Sequence, residues 1–153
     1  MPEVNSAGGD VQTLRVHKDE YIAATPDIVW ESILAEIGPE MRHGDGKPMP
    51  MKIELWPGGR WFRDTGENAG HFWGNVQVIK PGALLEICGP LFMSYPAMNH
   101  VQYRVKAEGN GTRMTLTHRG VGIFDPEHVK GVDMGWGEVV DNIRKHAEAR
   151  ARR

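Results

Sequence analysis

The stretch HFWGNVQVIKPGALLEICGP, from His71 to Pro90, decides how this chain is read. It contains two strands, His71 to Ile79 and Leu84 to Cys88. They are joined by Lys80-Pro81-Gly82-Ala83, because adjacent Pro and Gly between apolar runs punctuate a hairpin. Gly74 inside the first strand predicts a bulge or a close backbone approach. Cys88 is the only cysteine, so no internal disulfide forms and a reducing, cytoplasmic location fits. Its apolar strand context predicts a buried, inert thiol.

Downstream of this hairpin the alternation continues. Val101, Tyr103, Val105 and Ala107 share one face of a strand from Met98 to Ala107. After the turn Glu108-Gly109-Asn110-Gly111, residues Thr112 to His118 alternate again, with Met114, Leu116 and His118 on one face. Gly120 to Gly131 reads as a loop with a short turn after Asp125-Pro126. A helix from about Val132 to Arg150 closes the chain, with Trp136, Val139, Val140, Ile143 and Ala147 as its apolar stripe. Its basic end complements the negative helix terminus.

Upstream, Arg60 to Thr65 and Met51 to Leu55 read as strands around the turn Pro57-Gly58-Gly59, and Gly66 to Gly70 as a second turn. Met41 to Pro50 is a loop. Before it lies a helix with Thr25 as N-cap, Pro26 at the first helical position and Asp27 at the positive helix start. Val29, Trp30, Ile33, Leu34 and Ile37 form its apolar face, and Gly38-Pro39 ends it. A long first strand runs from Val11 to Ala24. The first ten residues read as a flexible tail and residues 11–153 as one domain. The order is strand, helix, about six antiparallel strands, long helix, which is an α+β pattern. A twisted sheet of about seven strands must hide one face, and the last helix is the element long enough to cover it.

Composition narrows function by exclusion. A formal net charge of −2 gives no global attraction to nucleic acid or to an anionic membrane. No apolar run approaches the roughly 20 residues of a spanning helix, so no membrane insertion is expected. The start of the chain lacks the pattern of a signal peptide. The seven histidines form no His-Glu-x-x-His or His-x-His spacing and there is no cysteine pair, so no metal and no cofactor are expected. GNGTR (Gly109 to Arg113) joins strand to strand, whereas a phosphate loop leads into a helix. There is no Gly-x-Ser-x-Gly elbow, and no catalytic residue is assigned.

Five segments in order carry a resemblance. ATPDIVWESIL (Ala24 to Leu34), PGGRW (Pro57 to Trp61), GHFWGNVQVIKPGALLEI (Gly70 to Ile87), GTRMTLTHRG (Gly111 to Gly120) and GWGEVVDNIRKH (Gly135 to His146) resemble the START/Bet v 1-like (SRPBCC) superfamily. Within it they resemble the branch named for the activator of heat-shock protein 90 ATPase homologue. The resemblance implies a helix-grip fold, a curved antiparallel sheet wrapped around a long C-terminal helix. It also implies an apolar cavity between sheet and helix, open to a small apolar or lipid-like molecule.

On that basis Trp61, Trp73, Tyr103, Leu116, His118, Trp136 and Val140 are expected to line a ligand pocket. His118 shares the inward face of its strand, so it must be hydrogen-bonded or wet. It reads either as a cavity-lining partner or as a structural histidine. The resemblance also allows a cyclase or aromatase-type enzyme, with His118 and Tyr103 or His100 moving protons. A third reading is an interaction protein using its sheet edge or basic C-terminal helix. A chaperone contact enters only through the family's name, because its chaperone activator uses a further N-terminal domain that 153 residues are not expected to hold. Exposed edge strands leave a homodimer open.

Overall fold

The structure, a computed structural model, describes residues 9–153. Most of the N-terminal tail expected from the sequence, residues 1–8, lies outside the described residues. The elements are β1 (Gln12–Ile22), α1 (Pro26–Ile37), β2 (Lys52–Ile53), β3 (Arg60–Gly66), β4 (Ala69–Lys80), β5 (Leu84–Gly89), β6 (Ala97–Glu108), β7 (Gly111–Gly122) and α2 (Pro126–Ala151). All seven strands form one antiparallel sheet in the order β1-β7-β6-β5-β4-β3-β2. From β2 to β7 the chain meanders between neighbours. β1 closes onto β7 at the far edge, and α1 with the loop after it returns the chain to the opposite edge. The α+β helix-grip architecture read from the sequence is the one observed.

Alternation explains which face is buried. In β6, Asn99, Val101, Tyr103 and Val105 are buried, and in β7 Met114, Leu116, His118 and Gly120 are buried beside them. The stripe Val132, Trp136, Val140, Ile143 and Ala147 of α2 faces this surface. The Pro81-Gly82 hairpin closes with Ala83 N donating to the Lys80 carbonyl, and Gly82 takes φ 81°, as the third position of a type II turn requires. Gly74 is a close approach as read. A Cβ there would sit 2.6 Å from the Cys88 carbonyl oxygen, and one on Gly89 would sit 2.4 Å from the Gly74 Cα.

Four sequence readings need correction. α2 begins at Pro126, not at about Val132: Asp125 is the N-cap, its carboxylate accepting from the Glu127 amide at 3.0 Å, and Pro126 takes the first helical position. Gly131, read as loop, lies inside the helix. β7 runs on to Gly122, four residues past His118, because Gln12 and Thr13 of β1 pair with it there. The strand read from Met51 to Leu55 pairs only at Lys52 and Ile53. Cys88 is half-buried on the outer face, with Sγ donating to Gln77 Oε1 at 2.7 Å, because its neighbours Ile87 and Gly89 take the inner face. Burial, with Glu86 adding to it, pushes the thiol up, so it remains a poor nucleophile.

Candidate functional site

Helix α2 does not lie evenly on the sheet. It packs against β1 and α1, so its contact is concentrated toward one edge. Toward β3 and β4 it stands off, and a cavity of about 510 Å³ opens there. Ligand sites fall within roughly 300–1,000 Å³. Trp73, Phe92 and Trp136 form its aromatic wall, and Val132 and Val139 of α2 with Met41 and Met49 of the loop after α1 complete the apolar lining. Arg63 and His71 come from β3 and β4, Arg42 and His43 from the loop, and Glu36, Glu138 and Asn142 from the helices.

The aromatic wall is built by two local irregularities. Trp61 pairs with Gly74 and Phe62 with Phe72, so Trp73 is the extra residue of a bulge between β3 and β4. The bulge leaves Trp73 and Gly74 both buried, and the missing side chain at Gly74 lets the β5 backbone approach at Cys88. Trp73 meets Trp61 edge-on at 4.9 Å and Phe92 at 5.7 Å. Phe92 comes from the turn after β5, where Leu91 adopts φ 55° while donating its amide to the Trp73 carbonyl at 2.8 Å. A left-handed leucine is costly. Its place is held by that hydrogen bond and by complete burial of its side chain.

Of the seven residues expected to line a pocket, Trp73 and Trp136 reach the cavity. Trp61, Tyr103, Leu116, His118 and Val140 lie in the packed interior behind it. His118 is fully buried and both ring nitrogens are engaged. Trp136 Nε1–H donates to His118 Nδ1 at 2.8 Å, so the proton sits on Nε2, which donates to Asn99 Oδ1 at 2.7 Å. Asn99 in turn donates to the Pro90 carbonyl at 3.2 Å. Burial pushes the ring down to about 4, so it is neutral at physiological pH. With no free lone pair, it acts as a post that fixes Trp136 in the cavity wall. His100, the other histidine weighed for proton transfer, faces outward and meets Glu86 at 3.0 Å.

The Tyr103 hydroxyl is buried and has no hydrogen-bond partner among the described residues. Burial, with the Glu36 carboxylate as a smaller cause, pushes its phenol far up. A buried hydroxyl without a protein partner gives up its bond to bulk water on folding with no protein bond in return. Tyr103→Phe is therefore expected to raise stability by about 1 kcal/mol in urea unfolding. A loss of similar size would mean that a buried water bonds the hydroxyl.

Sequence reading passed over several wall residues. Arg63 and His71 could have been found by parity, since each lies two residues from an inward tryptophan, Trp61 and Trp73. Glu36 could have been found by helical spacing, three residues from Ile33 and seven from Val29. It is almost fully buried, accepts from Asn142 Nδ2 at 3.1 Å, and burial raises its carboxyl above the ordinary range. Phe92 carries no such signal. Glu36, Glu40 and His146 bring potential metal donors within 4.8 Å of one another. Contacts within the group and to Arg150 account for it: His146 lies 3.4 Å from Glu40 and 3.7 Å from Glu36, and Arg150 lies 3.7 Å from Glu40. The basic end of α2 is likewise largely matched, Arg144 by Asp141 and Glu148, and Lys145 by Asp141. Among the described residues no helix is long and apolar enough to cross a membrane.

Solved structures share this architecture. A protein from Rhizobium leguminosarum superposes with a TM-score of 0.66 at 18% identity, covering 92% of this chain and 97% of its own. Mll3558 from Rhizobium loti gives 0.68 at 18%, covering 90% and 99%. CalU16 from Micromonospora echinospora gives 0.58 at 19%, covering 90% and 86%. At these identities the likeness is one of fold. A comparison with curated proteins finds no match. The family model described as Activator of Hsp90 ATPase homolog 1-like protein matches residues 23–148, which span α1, nearly all of α2 and every strand except β1. The chain therefore belongs to the Activator of Hsp90 ATPase homolog 1-like family.

Proposed function

We propose that this protein binds a small, largely apolar molecule in the cavity between α2 and the β3–β4 end of the sheet. One observation carries the reading: two exposed glycines in the N-terminal half of α2 border the cavity. Gly131 and Gly135 are one helical turn apart, both line the cavity, and a Cβ on either would meet nothing within 4 Å. Each glycine in a helix interior costs about 0.5–1 kcal/mol relative to alanine. Packing does not call for them, since there is space for a side chain. A ligand lying along the helix does, because its body would occupy that space. Trp73 and Phe92 opposite, with Trp136 beside Gly135 on the helix, supply the apolar burial that drives binding, and the few polar groups at the rim supply orientation.

The test uses the cavity's own fluorophores. Trp73 and Trp136 should report saturable binding of neutral probes such as naphthylmethanol and decanol. Gly135→Leu should abolish that signal while keeping or raising thermal stability, because leucine is a better helix former than glycine. Unchanged binding in a folded Gly135→Leu protein would place the ligand elsewhere and end this reading.

A further inference from the structure

We propose that the ligand is a hydrophobic carboxylate, whose apolar body lies against Trp73, Phe92 and Trp136 and whose head is held by Arg63 and His71. This rests on the cavity being a binding site, and it adds the chemical class of what is bound.

The argument begins with the arginines. Arg113, Arg144, Arg150 and Arg63 are each half-buried. Arg113 is met by Glu108 at 2.8 Å and Asp19 at 3.0 Å. Arg144 is met by Asp141 and Glu148. Arg150 donates to Ser32 Oγ at 2.7 Å and approaches Glu40. Arg63 has no hydrogen bond, ion pair or aromatic partner for its guanidinium among the described residues, and it is the one of the four that lines the cavity. A cation partly withdrawn from water is costly unless an anion or acceptors face it. The carboxylate beside it in sequence, Asp64, is taken by Lys52 at 2.9 Å.

His71 completes a two-pronged donor. It is the direct cross-strand partner of Arg63, so the two side chains leave the same face of the sheet about 5 Å apart at Cβ. His71 Nδ1 accepts from Trp73 Nε1–H at 3.2 Å, which places the imidazole proton on Nε2. A planar guanidinium fork beside an N–H donor suits a planar carboxylate, which accepts two donors at once. The same Trp73 that orients His71 also forms the apolar wall, so head and body of the ligand would be read by contiguous groups.

The test compares matched pairs by fluorescence and calorimetry: naphthoate with naphthylmethanol for an aromatic body, and decanoate with decanol for an aliphatic one. The intact protein should bind the acid of at least one pair about tenfold more tightly than its alcohol, a preference that weakens with salt. Arg63→Met, which keeps the apolar stem, should remove the preference by weakening the acid about tenfold, with a urea midpoint at or above that of the intact protein because an unpaired cation is gone. Arg63→Lys should restore only part of it, since an ammonium lacks the fork. Equal affinity for acid and alcohol, or a preference that survives Arg63→Met, overturns the carboxylate assignment alone. No binding of any of the four probes overturns it together with the binding reading beneath it.

Discussion

Replacing His118 with glutamine is expected to destabilise the protein by about 3 kcal/mol at pH 7.5, and the difference from the unaltered chain should shrink on acidification. The first part follows from what the ring holds. It is fully buried, receives the Trp136 indole proton and donates to Asn99. A glutamine cannot span both partners, and one of two buried polar groups is left unpaired at about 1–3 kcal/mol, with repacking added.

The second part follows from proton linkage. The folded ring is pushed down to about 4, below its ordinary 6.5. The neutral ring's contribution is present in full above pH 6.5, where neither state is protonated. It is lost as pH falls from 6.5 toward 4, because the unfolded chain takes up a proton that the folded chain refuses. The shift corresponds to about 3 kcal/mol at most. Glu36 works in the opposite sense: its carboxyl is raised by burial, so its contribution is lost as pH rises through the folded value. Because Glu36 is present in both proteins, the difference between them isolates His118. Urea unfolding of the pair at pH 7.5 and 4.5 should show the gap narrowing by about 2–3 kcal/mol. A gap that does not change with pH would mean the ring is not held neutral in the folded state.

Trp61→Ala is expected to cost about 4 kcal/mol in urea or thermal unfolding, as removal of a buried large aromatic does. Trp61 is 1% exposed and donates Nε1–H to the Ile37 carbonyl at 2.7 Å, satisfying the last turn of α1. It also meets the edge of Trp73. Three elements, α1, β3 and β4, therefore meet on one side chain. Trp61→Phe keeps most of the apolar area but loses the donor, so a cost of about 1–2 kcal/mol is expected from the unpaired carbonyl. Trp73 borders the cavity and leans on Trp61, so the alanine variant should also weaken probe binding. A cost below about 2 kcal/mol for Trp61→Ala would show that the site collapses around the loss and that the tryptophan pair is not what joins these elements.

The element sequence was legible because each element carries its own period. Met114, Leu116 and His118 alternate, and Trp136, Val140, Ile143 and Ala147 repeat at helical spacing, so type and buried face could both be read from local pattern. The helix start differs from the sequence expectation for a specific reason. Gly131 signals loop in the sequence, although Asp125-Pro126 is an N-cap followed by a residue suited to the first helical position. Glycine in a helix normally weighs against the helix, and here the tertiary setting overrides that preference.

The candidate site was less legible, because parity tells which face a residue takes but not how closely the facing element approaches. Trp61, Tyr103, Leu116, His118 and Val140 are all buried as read, yet they meet packed neighbours instead of open space, Trp61 against the Ile37 carbonyl of α1 and Trp73, and His118 against Trp136. Only where α2 leaves the sheet do inward residues border open space, and Arg63, His71 and Phe92 are brought there with Trp73 and Trp136. The period of each segment, written in its own residues, determined the fold class and the buried faces. The position of the cavity came from the uneven seating of α2, the bulge at Trp73 and the turn at Leu91, which depend on contacts between segments far apart in the chain.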